Sequence, residues 1–316
     1  MEWRTRFTEM VGTRYPIMQG ALAVIGRAEL AAAVSEAGGL GTITALTLGS
    51  GDKLRQEIRK ARALTDRPLA VNLSPAHDPS LDAMRDVAIE EGIPVIETAG
   101  YRAGHHGTKV KAEGLTWIHK VHTVRHAVAA ERDGADAVCI MGLEGAGLKS
   151  PAMLTTLVSV AMAVRQVSVP VIAAGGIGDA RTFLAMLALG AEAVQLGSAF
   201  CAVKECPLAE RRKQVLVDAD PYDPAWRDPI LSTPTVQELR AMVEADSTEA
   251  IVRAAGKAER AAIPEECGLS TISLSIGLID RIPAAGELID CIISEAEHIL
   301  TAQGIGGFKL TPATSS

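Results

Sequence analysis

Eight short aliphatic runs recur along the chain, and each ends in glycine, asparagine or a small polar residue. The runs are PIMQ from Pro16, GTIT from Gly41, LAVNL from Leu69, VIET from Val95, TWIHKV from Thr116, AVCIM from Ala137, VIAA from Val171 and AVQL from Ala193. They start about 25 residues apart, and helical patterns separate them over 27–37, 81–91, 123–133, 153–167 and 179–189. Such alternation with short connections indicates parallel strands. Eight units predict an α/β fold, a (β/α)8 TIM barrel, over the alternative of an open doubly wound sheet.

The chain continues for about 120 residues beyond the last run, which is more than one crossover helix requires. Helical patterns are predicted over 208–217, 236–244, 249–260, 270–282 and 287–301, and the proline-rich segment 218–234 indicates a loop. We therefore divide the chain into three parts. They are a barrel over 1–207, a C-terminal helical extension or lid over the barrel mouth at 208–282, and a closing helix and tail over 283–316 that pack on the barrel.

The charge balance and the apolar patterning exclude several partners. The net charge of −7 gives no basic field for nucleic acid or anionic lipid. No uninterrupted apolar stretch reaches the roughly 18 residues of a membrane span, and the N-terminus lacks the apolar core of a secretion signal. The five cysteines are widely spaced, so we expect no disulfide framework, no metal site and a cytoplasmic location.

Glycines follow the seventh and eighth runs. Gly175 and Gly176 lie between a strand and a helix whose predicted N-cap is Asp179, and Gly197 and Ser198 follow the next strand. Glycines admit an anion close to the backbone, and amides at a helix N-terminus face it. The two strand ends predict a phosphate-bearing ligand, against the alternative that these glycines only make tight turns.

Motifs of other enzyme classes do not occur in the sequence. It has no G-x-x-x-x-G-K-[ST], no H-E-x-x-H and no G-x-S-x-G. The segment GGLGTI at 38–43 precedes a strand instead of following one, so we interpret it as a helix end and the start of the second strand.

Several motifs in register resemble one family. They are PIMQG from Pro16, AAAVSEAGGLGTI, the asparagine in AVNLS, IHKVHTVRHAVAAERDGADAV, GLEGAG, VPVIAAGGIGD and GAEAVQLGSAF. These segments are similar to nitronate monooxygenases, also called 2-nitropropane dioxygenases, and to the FMN-dependent enoyl-ACP reductase II that shares their fold. The resemblance covers 15–200 well, and 267–279 with the helix from Pro283 looks like the family's closing segment.

The resemblance implies FMN at the strand ends. The implied cofactor-binding residues are Gln19, Gly20, Asn72, Lys120, Ala146, Gly175, Gly176, Gln195, Gly197 and Ser198. Lys120 would lie near the pyrimidine side of the flavin, where a cation favours the anionic reduced form. From the residues alone, Asn72 could equally cap the following loop, and Lys120 could be exposed to solvent.

The chain departs from the family after the sixth strand. The family usually has G-x-E-A-G-G-H-x-G, and here the segment is Gly142-Leu143-Glu144-Gly145-Ala146-Gly147-Leu148-Lys149-Ser150. Leu148 therefore stands where the family has its usual histidine, and Met141 stands where nitronate monooxygenases often have glutamine. Leucine neither transfers a proton nor donates a hydrogen bond, so the departure argues against the family's standard chemistries.

Other residues near the strand ends are candidates for the missing role. The segment AGYRAGHHG is predicted to be a glycine-rich loop that holds Tyr101, His105 and His106, and the alternative is that this loop is only solvated and has no role in the site. We take Tyr101, His105 and Lys120 as candidate catalytic residues. The predicted substrate pocket holds Met141, Leu148 and His106. Further candidates are His122, Glu144 and Lys149, while His119 and Cys139 are expected to be structural.

Four functions follow from this interpretation. The favoured one is an FMN-dependent oxidoreductase that transfers hydride to or from an activated acyl substrate, such as an enoyl- or CoA-thioester or an acyl-carrier thioester. The alternatives are a nitronate monooxygenase with an altered proton-transfer group, an NAD(P)H-dependent quinone or flavin reductase, and a flavin-carrying protein without turnover. Any NAD(P)H is expected to bind transiently over the flavin as an electron donor. The oligomeric state stays open, with a homodimer as one candidate.

Overall fold

The fold is taken from a computed structural model, which describes residues 1–75, 78–100, 102–150, 152–232 and 272–303. Eight parallel strands form its central sheet. They are β1 Ile17–Gln19, β2 Gly41–Thr44, β3 Leu69–Leu73, β4 Val95–Ala99, β5 Thr116–Val121, β6 Ala137–Met141, β7 Val171–Ala174 and β8 Ala193–Leu196. Each of the eight predicted runs is thus a strand, with ends that agree within one residue.

The sheet closes on itself into a barrel. Strand β1 pairs with β8 in parallel, with Ile17 opposite Val194, and a bridge between Met18 and Leu40 joins it to the second strand. The remaining strands pair in chain order from β2 to β8. The predicted (β/α)8 TIM barrel is confirmed, and the open doubly wound sheet is excluded.

Helices surround the barrel, and the first of them closes the end at which the strands begin. They are α1 Arg6–Val11, α2 Ala28–Glu36, α3 Gly51–Arg62, α4 Ser80–Glu90, α5 Gly104–Ala112, α6 Val124–Arg132, α7 Thr156–Ala163, α8 Ala180–Ala188, α9 Ser198–Cys201, α10 Glu210–Val217, α11 Pro224–Ser232 and α12 Ala285–His298. The predicted helix end at Gly38 is confirmed, because this residue follows α2 with a φ of 93°. Among the described residues, none of these helices is long and apolar enough to cross a bilayer.

The barrel interior has a lower and an upper layer of side chains. The lower layer is apolar and includes Met18, Leu40, Ala70, Val95, Ile118, Ala137, Ile172 and Ala193, with Phe7 and Val11 of α1 packed against it. Because successive side chains of a strand alternate between faces, the next inward position lies two residues later. Those positions carry the polar side chains of Asn72, Glu97, Lys120 and Gln195. The interior therefore changes from apolar to polar towards the carboxyl ends of the strands.

Two segments differ from their predicted conformation. The glycine-rich segment 99–107 was expected to be a loop, but its second half begins α5, whose Gly107 lies against Trp117. A Cβ on Gly107 would lie 2.3 Å from the indole ring, so this glycine permits close packing instead of ending a helix. The predicted loop at 218–234 contains α11, which starts at Pro224, a favourable first helical residue.

The C-terminal segments are confirmed in part. The predicted helices at 208–217 and 287–301 correspond to α10 and α12, and α12 packs against α2 and α8. In the described part of the predicted helix at 270–282, residues 272–282, the helical structure is a 3-10 turn, Leu274–Leu278, because Leu274 N–H donates to Glu144 O and fixes the segment against the barrel loop. The predicted helices at 236–244 and 249–260 lie outside the described residues.

Candidate active site

A cavity of about 1300 Å³ opens at the carboxyl ends of the barrel strands. Its wall includes residues in or just after the carboxyl-terminal ends of seven strands: Gly20, Asn72, Gly100, Lys120, His122, Met141, Ala146, Leu148, Gly175, Gly176, Gln195, Gly197 and Ser198. This is the edge where TIM-barrel enzymes carry their active sites. The sequence-predicted residues in this set therefore lie together around one cavity.

A hydrogen-bonded chain of polar side chains forms the floor of the cavity. Lys120 Nζ donates to Gln195 Oε1 at 2.7 Å, and Gln195 Nε2 donates to Glu97 Oε1 at 2.6 Å. Asn72 Nδ2 donates to the other oxygen, Glu97 Oε2, at 2.7 Å. The chain joins four strands and fixes the orientation of both carboxamides, because each amide nitrogen faces the carboxylate.

One acceptor of this floor is not used. Asn72 Oδ1 is buried and has no hydrogen-bond partner among the described residues. A buried acceptor without a partner costs about 1–3 kcal/mol of stability, so a polar N–H or O–H group of a bound molecule would relieve that cost. Since Asn72 also lines the cavity, the floor is suited to a ligand with a hydrogen-bond donor at this point.

Gln19 faces away from the cavity, although the resemblance implied a flavin contact. Its neighbours Met18 and Gly20 point inward, so alternation along β1 turns Gln19 outward. The Gln19 carboxamide is bonded to the backbone of the next strand, with Nε2 donating to Thr42 O at 2.9 Å and Oε1 accepting from Thr42 N at 3.3 Å. We therefore correct its expected role to a structural link between β1 and β2.

Three glycines at the ends of β7 and β8 form the wall of the cavity opposite the β3 end. Gly175 and Gly176 have φ values of 96° and 74°, in the left-handed region that favours glycine. A Cβ on Gly176 would lie 3.1 Å from Glu144 Cβ, whereas a Cβ on Gly197 would meet nothing within 4 Å. The backbone of these glycines is consequently open to the cavity.

The start of α8 is capped by its own side chains. Asp179 Oδ1 accepts from Thr182 N at 2.8 Å, which confirms Asp179 as the N-cap. Thr182 Oγ1 accepts in turn from Gly178 N and Asp179 N, each at 3.2 Å. These helix amides are therefore occupied by the cap, whereas the amides of Gly176 and Gly197 at the cavity wall make no turn or loop hydrogen bond to the described backbone.

The loop between β6 and α7 brings an apolar side chain into the cavity. Met141 and Leu148 line the cavity, and Ala146 lies between them along the wall. Glu144, which carries the loop's carboxylate, is turned away and accepts from Thr156 N at 2.8 Å and Thr156 Oγ1 at 2.9 Å. This face of the cavity thus presents hydrocarbon, and the loop's carboxylate is a structural cap for α7.

Lys149 is buried under the same loop, with only 1% of its surface exposed. Its Nζ donates to Leu143 O at 2.8 Å and to Gly145 O at 2.5 Å. Burial lowers the pKa of Lys149 to about 8, although Glu144 acts in the opposite direction. The ammonium group therefore holds the loop in shape and is not free to act on a ligand.

Replacing Lys149 by methionine is expected to change how stability depends on pH. The folded-state pKa lies below the unfolded value of 10.5, so the unfolded chain holds more protons between about pH 8 and pH 10.5. As the pH rises through that window, the free energy of unfolding of the wild type should increase by up to roughly 3 kcal/mol relative to that of Lys149→Met. Below about pH 8, the difference between the two proteins should not depend on pH. Urea unfolding at several pH values measures this difference in stability. Lys53→Met, at an exposed position of α3, is the control. A constant difference would contradict the buried position of the ammonium.

Among the described candidates of segment 99–107, His105 and His106 do not line the cavity. His105 and His106 lie in the first turn of α5, where His105 is exposed and His106 is buried against α4. Arg85 Nη1 lies 3.2 Å from His106 Nδ1. The expected catalytic role of His105 and the expected pocket role of His106 are therefore not carried into our proposal, and Tyr101 lies outside the described residues.

Asp82, His105 and His106 place possible metal-ligand atoms within 4.8 Å of one another. The guanidinium of Arg85 already occupies this cluster and donates to Asp82 Oδ1 at 2.5 Å. A fixed cation opposes binding of a second one, so we interpret the cluster as a contact between α4 and α5.

The C-terminal extension reaches the cavity through its described residues. Leu208, Arg212, Ser273 and Ser275 line the cavity wall. Ser273 N donates to Ser198 Oγ at 2.9 Å, which ties the extension to the end of β8. One edge of the cavity is thus made by residues that follow the barrel in sequence.

Sequence reasoning missed Glu97, the residue that organises the floor. Its signal was present, because Glu97 is a charged residue at an inward position of a strand, in phase with Asn72 and Lys120 on neighbouring strands. His119 behaves as expected, since it faces outward and its Nδ1 lies 2.7 Å from Thr98 Oγ1. Cys139 is also structural, as burial raises the pKa of its thiol to about 12.

A closed parallel barrel with a polar floor and a glycine wall at its strand ends defines a TIM-barrel enzyme. The chain belongs to the nitronate monooxygenase family, whose model matches residues 4–295. It is accordingly a flavin-dependent oxidoreductase of that family, which typically binds FMN.

Solved structures of the same architecture have different activities. The structure of FabK from Thermotoga maritima matches with a TM-score of 0.79 and 35% identity, covering 94% of this chain and 97% of that one. Nitroalkane oxidase from Streptomyces ansochromogenes matches with a TM-score of 0.75 and 25% identity, covering 94% and 100%.

Relatives of known name also differ in activity. One from Mycobacterium tuberculosis is (3aS,4S,5R,7aS)-5-hydroxy-7a-methyl-1-oxo-octahydro-1H-indene-4-carboxyl-CoA dehydrogenase, 32% identical over 82% of this chain and 75% of the relative. A nitronate monooxygenase from Pseudomonas aeruginosa is 34% identical over 62% of this chain and 68% of its own length.

Proposed function

We propose that the protein is an FMN-dependent oxidoreductase that transfers hydride to or from an acyl thioester of coenzyme A or an acyl carrier. The observation that carries the proposal is the composition of the cavity. Its glycine wall and polar floor suit a flavin nucleotide, whereas the end of β6 and the loop after it present Met141 and Leu148 to the substrate. The dehydrogenase from Mycobacterium tuberculosis and FabK from Thermotoga maritima support a thioester as the substrate class.

The residues present fit FMN. The amides of Gly176 and Gly197 would hold its phosphate, with Ser198 beside them. Asn72 Oδ1, the buried acceptor without a partner, would accept from the imide N–H of the flavin ring. Lys120 would lie by the pyrimidine part of the ring and stabilise negative charge there, and Gln195 holds Lys120 in place at 2.7 Å. When bound, the flavin supplies hydride transfer.

Asn72→Leu is expected to weaken FMN binding by about 10-fold, because one hydrogen bond contributes about 0.5–1.5 kcal/mol. Gln19→Leu is the matched control, since it removes another buried carboxamide from a strand end but one that bonds the Thr42 backbone. The control should lower the unfolding midpoint and leave FMN affinity unchanged. Fluorescence titration of the apoprotein with FMN measures the affinity, and equal affinities in the two variants would argue against a flavin contact for Asn72.

The chain's residues position the substrate and exclude water. Leu148 and Met141 offer apolar contact to an acyl chain, and burial of such surface contributes about 25 cal/mol per Å². We propose that the extension, through Leu208 and Arg212, shapes the entrance for the rest of the thioester. The guanidinium of Arg212 suits the phosphates of a coenzyme A or acyl-carrier group.

Anaerobic half-reactions test the function. The bound flavin is reduced with NADH or NADPH and then mixed with an enoyl-CoA, a quinone or an alkyl nitronate, and reoxidation is followed by absorbance. Reoxidation by the enoyl-CoA alone supports the proposal. Reoxidation by the quinone alone would indicate a quinone or flavin reductase, and a flavin that no donor or acceptor turns over would indicate a carrier protein. Either result would overturn the proposal.

Nitronate oxidation is the second candidate. The family model and the relative from Pseudomonas aeruginosa favour it. Leu148 argues against it, because a leucine at the cavity wall supplies no proton-transfer group. Turnover of alkyl nitronate by oxidised enzyme in air distinguishes the two candidates.

A further inference from the structure

We propose that His122 is the hydrogen-bond donor that binds the thioester carbonyl oxygen and stabilises negative charge on it. This inference rests on the proposed function. The loop after β6 presents Leu148 and offers no hydrogen-bond donor to the carbonyl oxygen, so the donor is assigned to the residue that follows β5. His122 would thereby be a catalytic residue in contact with substrate.

The position of His122 follows from the strand. His122 is the first residue after β5 and comes two residues after Lys120, about 7 Å further along the chain direction, and both side chains line the cavity. Lys120 belongs to the polar floor, and His122 therefore lies one level higher, at the level of the cavity wall. It lines the same cavity as Leu148, and its side chain is half-buried.

The two lysine ammonium groups near the floor have other assignments, since the proposed function places Lys120 beside the flavin. Lys120 Nζ is bonded to Gln195, and Lys149 Nζ is bonded to two carbonyl oxygens of its own loop. By contrast, neither ring nitrogen of His122 has a hydrogen-bond partner among the residues that the structure describes. A half-buried imidazole without a partner is suited to bind a group that enters the cavity.

The surroundings of His122 favour the neutral ring. Burial, followed by the positive charge of Lys120, lowers the pKa of His122 to about 4, and His126, Lys149 and His119 act in the same direction. At neutral pH the ring therefore carries one N–H donor and no charge. A neutral imidazole with a lowered pKa polarises a carbonyl by donating its N–H and does not protonate it.

The chemistry needs such a donor. When hydride from a reduced flavin adds to the β-carbon of an enoyl thioester, the electron pair of the double bond moves towards the carbonyl oxygen as an enolate, and a proton from solvent at the α-carbon then completes the reduction. A fixed donor at that oxygen stabilises the transition state more than the ground state, and loss of one such donor typically costs about 10²–10³-fold in kcat. The same contact serves the reverse reaction, because both directions pass through the same transition state.

Crotonyl-CoA labelled with ¹³C at the carbonyl is the probe, bound to oxidised holoenzyme, which cannot reduce it. Isotope-edited infrared spectroscopy should show the carbonyl stretch shifted to lower frequency than in buffer. His122→Phe should lose the shift, and His122→Gln, which keeps an N–H donor, should retain part of it. His126→Phe, at an exposed position of α6, is the matched control and should behave as wild type.

Kinetics with reduced enzyme complete the test. His122→Phe should lower kcat by about 10²–10³-fold with a smaller change in KM, and His122→Gln should recover part of the loss. If wild type turns over crotonyl-CoA and His122→Phe matches it in both shift and kcat, the role of His122 is overturned and the proposed function stands. If wild type neither binds nor reduces any acyl thioester, the proposed function itself fails.

Discussion

Gly176→Val is expected to give a folded barrel that no longer retains FMN. Gly176 has a φ of 74°, and its Cβ position lies 3.1 Å from Glu144 Cβ, so a branched side chain would both strain the backbone and displace the wall. Hydrogen bonds to a charged phosphate contribute about 1.5–3 kcal/mol each. A valine that keeps the phosphate away from this wall removes its hydrogen bonds to the amides of both residue 176 and Gly197. FMN binding should therefore weaken by about 10²–10⁴-fold.

The matched control is Gly114→Val. Gly114 has a similar φ of 71°, has nothing within 4 Å of its Cβ position and does not line the cavity. Both variants carry the strain of a branched residue in the left-handed region, so only the effect on the cavity differs between them. The flavin content of the purified proteins and their unfolding midpoints are measured. A folded Gly176→Val protein with normal flavin content would show that the phosphate does not bind at this wall.

Leu148→His is the second substitution with a large expected effect. The wild type should turn over alkyl nitronates slowly, because the cavity wall at Leu148 has no proton-transfer group. An imidazole at this position should raise nitronate turnover by about 10²–10⁴-fold, the usual contribution of a positioned general base. Thioester turnover should fall, because a polar ring replaces apolar contact with the acyl chain.

Leu154→His is the control for this experiment. Leu154 belongs to the same connection between β6 and α7, but it is partly exposed and does not line the cavity. Steady-state rates on an alkyl nitronate and on crotonyl-CoA are compared in the three proteins. High nitronate turnover in wild type that Leu148→His leaves unchanged would restore nitronate oxidation as the function.

The strands were predictable because each is a short apolar run bounded by glycine or a polar residue, and a strand buried on both faces has this composition. Helix α5 was not, because its glycines and polar residues contradict a helical pattern. Its Gly107 is explained by the Trp117 ring, a contact that becomes visible only after α5 and β5 are packed together. Local propensity gives way there to tertiary packing.

The candidate site was predictable where strand ends and glycines define it, and less so where a side chain's direction matters. Asn72 and Gln19 are both carboxamides at strand ends, yet Asn72 faces the cavity and Gln19 faces β2. The two can be distinguished by counting from the inward apolar residue of each strand. Asn72 comes two residues after Ala70 and faces the same way, whereas Gln19 comes one residue after Met18 and faces the opposite way. His105 could not be placed in this way, because its position depends on a helix that the sequence did not indicate.

The two layers of the barrel interior have a consequence for how such an enzyme diversifies. The polar floor is made by residues within strands, namely Asn72, Glu97, Lys120 and Gln195, whereas the side chains we assign to the substrate come from the ends of strands and from loops. Mutations in the loops therefore leave the floor's hydrogen bonds unchanged. Substrate specificity can therefore evolve through a few mutations in the loops, while the strands beneath them keep the polar floor unchanged.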